Sequence, residues 1–238
     1  DSMLHVQNMV LDNCLSTIKH ETIYYPNKIK QIIGRLNTQN LPEKDEREAV
    51  ETITELIEYY KGIFTILSSC AARQLEEVTF RRNTIPVQEL FDAAGKYFRK
   101  VTKNRTEKVE LIIEPMDAKV IGDVNQLRFL FENLIDEALA VREEGVIRLQ
   151  ARKDNEYIRF LFTDTRREKS VTELNQLFYP NLARMTSGEK GELRGTEYLI
   201  CKQIIRDHDE FAGRRGCRIN AEPAEGGGFT VYFTIPRR

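Results

Sequence analysis

The chain of 238 residues is 41% apolar and 31% charged, enough to bury one sizeable core plus a smaller packed element and too polar to be a membrane span. Its 36 basic and 37 acidic side chains nearly cancel, so net charge draws it neither to nucleic acid nor to an anionic membrane. Cys14, Cys70, Cys201 and Cys217 lie far apart, without the close pairs of a zinc knuckle or redox motif, and read as reduced structural thiols.

From the start, Leu4, Leu11, Ile18, Tyr25 and Ile32 recur at heptad spacing. Leu15, Ile29 and Leu36 fill the complementary position, interrupted by Asn8 and Thr22. The stretch LNTQNLPEKDE breaks this seam, and a second one follows through Val50, Ile53, Ile57, Tyr60, Phe64, Leu67, Ala71 and Val78. Glu43 and Asp45 are acids of the kind that favour a helix N-terminus, which places the second helix just after Pro42. The pattern predicts an antiparallel helical hairpin over residues 1–80. A lone hairpin leaves its seams in water, although each fully buried Leu or Ile is worth about 1.5–3 kcal/mol. A homodimeric four-helix bundle covers them, and packing against the following domain is the alternative.

His20 falls outside both seam positions and is expected to face solvent. Glu21 beside it can orient or deprotonate an imidazole nucleophile. Pro26 lacks the amide that would bond the Thr22 carbonyl and should loosen the turn. An ordinary surface histidine remains the simpler reading.

The heptads stop around TFRRNTIPVQ, so a second domain is expected over 85–238. VQELFDAAGKYFRKV reads as a helix, VELIIEP and KVIGD as strands, and NQLRFLFENLIDEALAV as a helix whose buried face holds Leu127, Leu130, Phe131, Leu134, Ile135 and Ala138. Strands VIRLQAR and YIRFLFTD follow, then a short helix near Val171 to Phe178 and another from about Thr196 to Asp207. CRINAE and FTVYFTIP, joined by PAEGGG, complete a sheet. The fold class is therefore α+β, a helical hairpin followed by an α/β two-layer sandwich.

This order resembles the dimerisation and catalytic domains of two-component sensor histidine kinases, whose ATPase domain is of the GHKL type with the Bergerat fold. The resemblance rests on HE followed by a proline on a hairpin helix, NLIDEA on a helix, a strand ending in FTD, RGTEYLICKQIIRDHD, and GGGFTVYFTIP. It implies ATP-dependent autophosphorylation on His20, with Glu21 assisting proton transfer, and phosphotransfer to an aspartate of a response-regulator receiver domain. The implied cofactors are ATP and Mg²⁺. The implied partners are a second copy of the chain and the receiver domain, in a cytoplasmic portion that could follow an inner-membrane sensor segment upstream.

Several positions depart from the family pattern. The proline follows His20 by six residues instead of five, and Tyr24 stands where a short polar residue supports phosphatase chemistry. The metal-binding Asn-x-x-x-Asn pair reads Asn133 and Glu137, and a carboxylate can still hold Mg²⁺. Asp164 matches the acceptor of the adenine amino group, but the two glycines after it are Arg166 and Glu168. The phosphate loop reads Gly195-Thr196-Glu197-Tyr198, keeping one glycine, with Lys190 and Arg194 nearby to offset Glu197. Two accounts fit these changes. One is a divergent, weakened kinase with Glu137 as metal ligand and a rebuilt lid from Arg166 to Lys190. The other is a pseudokinase or dimeric signalling scaffold with a degenerate nucleotide site.

Readings from other classes are less well supported. The pairs Arg81-Arg82, Arg166-Arg167 and Arg214-Arg215 come without a recognition helix, so no nucleic-acid partner is expected. His5, His20 and His208 are too dispersed to ligate one metal, and His208 reads as a packing or capping residue.

Overall fold

A computed structural model describes residues 6, 9–10, 27–71, 80–179, 186–187 and 193–238. His20, Glu21, Tyr24, Pro26 and Lys190 lie outside the described residues, as do the first-seam positions before Asn27. The chain divides into two compact units, one drawn from 8–75 and 180–196 and the other from 1–7, 76–179 and 197–238.

In the first unit, helix α1 (27–38) ends where the sequence breaks, and helix α2 (Glu43–Ala71) starts directly after Pro42. Pro42 lends its carbonyl to the Glu46 amide at 3.0 Å, and Glu43, Asp45 and Glu46 place negative charge on the exposed amides of the first turn. Ile29, Ile32 and Leu36 are half-buried along one face of α1. On α2 the covered stripe is Ala49, Thr52, Ile53 and Leu56, a helical i, i+3, i+4, i+7 spacing. Val50 and Ile57, read from the heptads as core, stay 51% and 44% exposed, and Ile33 on α1 is 44% exposed.

The second unit begins with strand β1 (Asn83–Pro86), helix α3 (Val87–Thr102), strands β2 (Val109–Ile113) and β3 (Lys119–Gly122), and helix α4 (Val124–Leu139). Strands β4 (Gly145–Asp154) and β5 (Tyr157–Asp164) and the short helix α5 (Val171–Gln176) come next. A two-residue ribbon, β6 (Thr186–Ser187) against β7 (Leu193–Arg194), belongs to the hairpin unit. Helix α6 (Glu197–Phe211) and strands β8 (Ile219–Pro223) and β9 (Phe229–Pro236) close the second unit. Its main sheet runs β2-β4-β5-β9-β8, parallel between β2 and β4 and antiparallel elsewhere. β1 and β3 form a separate antiparallel pair.

The period of two along each strand decides what faces the helices. Ile147, Leu149 and Ala151 of β4, Ile158, Phe160 and Phe162 of β5, and Val231, Phe233 and Ile235 of β9 are all buried. Phe160 stacks on Phe233 with centroids 4.9 Å apart, while Phe91 of α3 and Phe131 of α4 meet Phe160 edge-on at 6.0 and 5.8 Å. These rings form the centre of the core. Because Asp164 follows Phe162 by two residues, the same alternation sends a carboxylate to the buried face, opposite Ile147 on β4.

The entrance to α4 is pinned by Asp123, whose carboxylate accepts from the amides of Asn125, Gln126 and Arg81. The Asp123 amide in turn donates to Nε2 of His208 at 3.1 Å, and His208 Nδ1 lies 2.8 Å from the Ile204 carbonyl. His208 is fully buried on α6, edge-on to Phe80 at 4.9 Å. A Cβ on Gly122 would come within 2.7 Å of the ring, so glycine is what lets the imidazole lie against the strand.

Candidate nucleotide site

The only charged side chain on the core face of β5 is Asp164, 1% exposed at the strand's end. Burying a carboxylate in such a place is costly unless it is paired and hydrogen-bonded. Arg166, two residues on, meets that demand. Its Nε donates to Oδ1 at 2.9 Å and its Nη2 to Oδ2 at 2.9 Å, a forked, charge-assisted pair, and its own amide adds a third bond to Oδ1 at 3.0 Å. Both side chains are almost wholly buried, at 1% and 2% exposure. The guanidinium also donates to the Glu143 carbonyl at 3.0 Å and to the Ala138 carbonyl in the last turn of α4. The last carbonyls of a helix lack i+4 amide partners, and here Arg105 takes two in this region, the carbonyls of Leu139 and Val141, at 2.7 and 3.0 Å.

Two glycines shape this corner. Gly145 opens β4 at φ +139°, and a Cβ there would stand 2.7 Å from Arg166 Cγ, so the arm of Arg166 runs over bare backbone. Gly228, at φ +81° before β9, approaches the Asp164 carbonyl so closely that a Cβ would fall 2.1 Å from it.

Asn133 and Glu137 lie one turn apart on the inward side of α4, at 5% and 8% exposure. The Asn133 amide folds back onto the Phe129 carbonyl at 2.8 Å. Glu137 approaches α6: burial pushes the Cys201 thiol well up from its ordinary range, helped by the negative charges of Glu197 and Glu137. Cys201 itself lies 3.6 Å from the Leu130 carbonyl and is completely buried, consistent with a structural thiol.

Of the residues singled out in the sequence, Asn133, Glu137 and Asp164 therefore share one unit, while Arg194 and Gly195 fall in the other. Gly195 adopts φ +82°, a conformation that favours glycine. Among the described residues no group of three or more His, Cys, Asp or Glu side chains could hold a metal ion. As arranged here, the base subsite does not fit an adenine nucleotide, because both oxygens of Asp164 are already held by Arg166. The sequence marks Arg166 as a replaced glycine, as the start of a rebuilt lid and as part of a basic pair, but not as the partner of Asp164. The signal that could have found it was a basic residue two positions after a strand-end aspartate, with a glycine at the start of the neighbouring strand.

Helices packed against a mixed five-stranded sheet, with a buried aspartate at a strand end, make an α/β sandwich. Residues 122–238 match the histidine kinase-, DNA gyrase B-, and HSP90-like ATPase family. No curated protein matches the chain. Among solved structures, the catalytic domain of histidine kinase ThkA is 20% identical, with 67% of this chain and 98% of that chain covered at a TM-score of 0.51. ThkA in complex with the response regulator TrrA is 18% identical over 97% of this chain and 63% of that one, with a TM-score of 0.55. Full-length ShkA in complex with AMPPNP is 15% identical over 94% and 45%, with a TM-score of 0.53. At these identities the likeness establishes the fold, hairpin followed by sandwich. No described helix is long and apolar enough to cross a membrane.

Proposed function

We propose that the chain is a dimeric two-component signalling protein that displays His20, with Glu21 beside it, for phosphoryl exchange with a response-regulator receiver domain, while its ATPase-type domain has little or no adenine-nucleotide chemistry. In this reading residues 1–80 form the dimerising, phosphoacceptor hairpin and 85–238 the degenerate ATPase-type domain. The observation that carries it is the buried fork between Arg166 and Asp164, which takes both oxygens the family offers to adenine. Glu137 in place of the second asparagine, and Glu197 in the phosphate loop, add negative charge where a triphosphate would lie. The dimer is supported by Ile33, Val50 and Ile57, large apolar side chains left in water on the hairpin unit. A receiver-domain partner is supported by the fold shared with ThkA, which has been seen with its regulator TrrA.

The test is a calorimetric titration of Mg-ATP into the full chain, followed by labelling with γ-labelled ATP and, separately, with a phosphorylated receiver domain. The expected result is no saturable ATP binding, no label from ATP, and acid-labile label from the receiver that vanishes in His20→Gln (H20Q). Saturable binding with label arriving on His20 from ATP would establish the divergent active kinase instead.

A further inference from the structure

We infer that Arg166 is the residue that sets the specificity of the base subsite at the end of β5: its guanidinium occupies the place of a purine and closes that subsite to adenine. This deepens the functional reading above and rests on it.

Four acceptors from three segments converge on one planar group: the two Asp164 oxygens at the end of β5, the Ala138 carbonyl of α4, and the Glu143 carbonyl before β4. A guanidinium is flat and carries its donors in one plane, as an aminopurine edge does. With Arg166 removed, the cavity is lined by acceptors and holds a buried carboxylate in need of a donor. The exocyclic amine of adenine is such a donor, whereas guanine held in the same orientation sets its carbonyl oxygen against the carboxylate. The walls have supports besides Arg166. Asp164 is fixed by its strand pairing to Ile147 and Phe229 and by the close approach of Gly228, and α4 by its aromatic packing. Gly145 adds an independent sign that the arm is built in, since any larger residue there would displace Arg166 Cγ.

The nearest cation able to replace Arg166 is Arg167, whose Nε lies 3.8 Å from Asp164 Oδ2 and makes no hydrogen bond among the described residues. The test therefore uses the full chain as wild type, Arg166→Ala (R166A) and the double variant R166A/R167A, each titrated with ADP and with GDP by calorimetry and checked by far-UV circular dichroism. ADP should bind R166A, or the double variant if Arg167 swings in, at least about tenfold more tightly than it binds wild type, and more tightly than GDP does. Adding Asp164→Asn should remove the gain. Folded variants that bind ADP no better than wild type overturn the inference and leave the functional reading standing, whereas tight ADP binding by wild type overturns both. If R166A is isolated unfolded, recovery of native ellipticity with ADP and not with GDP supports the inference, and recovery with neither overturns it.

Discussion

Acid should weaken the ATPase-type domain through one buried ring. Burial holds His208 down from its ordinary 6.5 to about 4, against the opposing pull of the Ile204 carbonyl and the Asp123 charge. The geometry says why the neutral form is required. Nδ1 carries the proton donated to Ile204, so Nε2 must stay bare to accept from the Asp123 amide. A second proton would set two donors face to face. The unfolded chain takes up this proton below 6.5 while the native chain refuses it until about 4, so the unfolded state binds more protons in that window. His208 therefore contributes its full stabilisation above 6.5 and loses it as pH falls toward 4. Integrating between about pH 7 and about pH 5 gives a loss of about 2 kcal/mol. The raised carboxyls of Asp136 and Glu132, each driven mainly by burial, act with the opposite sign, because a group that holds its proton more tightly when folded gains stability in acid. The comparison must accordingly be made against His208→Gln (H208Q), which keeps those groups. The chain has no tryptophan, so urea unfolding is followed by far-UV ellipticity at the two pH values. Wild type should lose about 2 kcal/mol more than H208Q between them. Equal losses in the two proteins would refute the assignment.

Phe160 touches Phe91, Phe131 and Phe233, so Phe160→Ala should cost about 3–5 kcal/mol, read as a drop in urea midpoint; a cost near zero would mean that the aromatic cluster is not the core. Gly228→Ala forces a Cβ onto the Asp164 carbonyl at positive φ and should destabilise by roughly 1–3 kcal/mol in thermal unfolding, while Gly226→Ala, also at positive φ but with open space around its Cβ, should cost less. Val50→Glu together with Ile57→Glu should convert the full chain from dimer to monomer by light scattering without loss of helical ellipticity. A persistent dimer would place the interface elsewhere.

How legible this was from sequence depended on whether a residue's surroundings are set by its own element. In YIRFLFTD the alternation alone puts Ile158, Phe160, Phe162 and Asp164 on one face, and the sheet uses it so. The helix around Asn133 is equally plain, because its apolar spacing leaves no other face to bury. The second seam was harder. Val50, Ile53 and Ile57 have the right spacing, yet the single chain covers Ala49, Ile53 and Leu56, because two apolar stripes run side by side on α2 and a sequence does not say which partner each one meets. Arg166 was the least legible. Its place in the chain marks a replaced glycine, and its spacing from Asp164 hints at the ion pair but not at the further reach to the end of α4.

That arm gives a physical account of how a scaffold can persist under the proposed loss of nucleotide chemistry. A pocket shaped for a base leaves a buried carboxylate and a frayed helix end whenever the ligand is absent, and both raise the cost of the empty state. Arg166 neutralises Asp164 and caps Ala138 at the same time, so the domain carries its own substitute for the ligand. Its order then no longer depends on nucleotide concentration, since nothing that binds only the folded state is needed to hold it. On the proposed reading, Arg166→Gly removes the arm that crosses Gly145 and should open the base subsite to nucleotide.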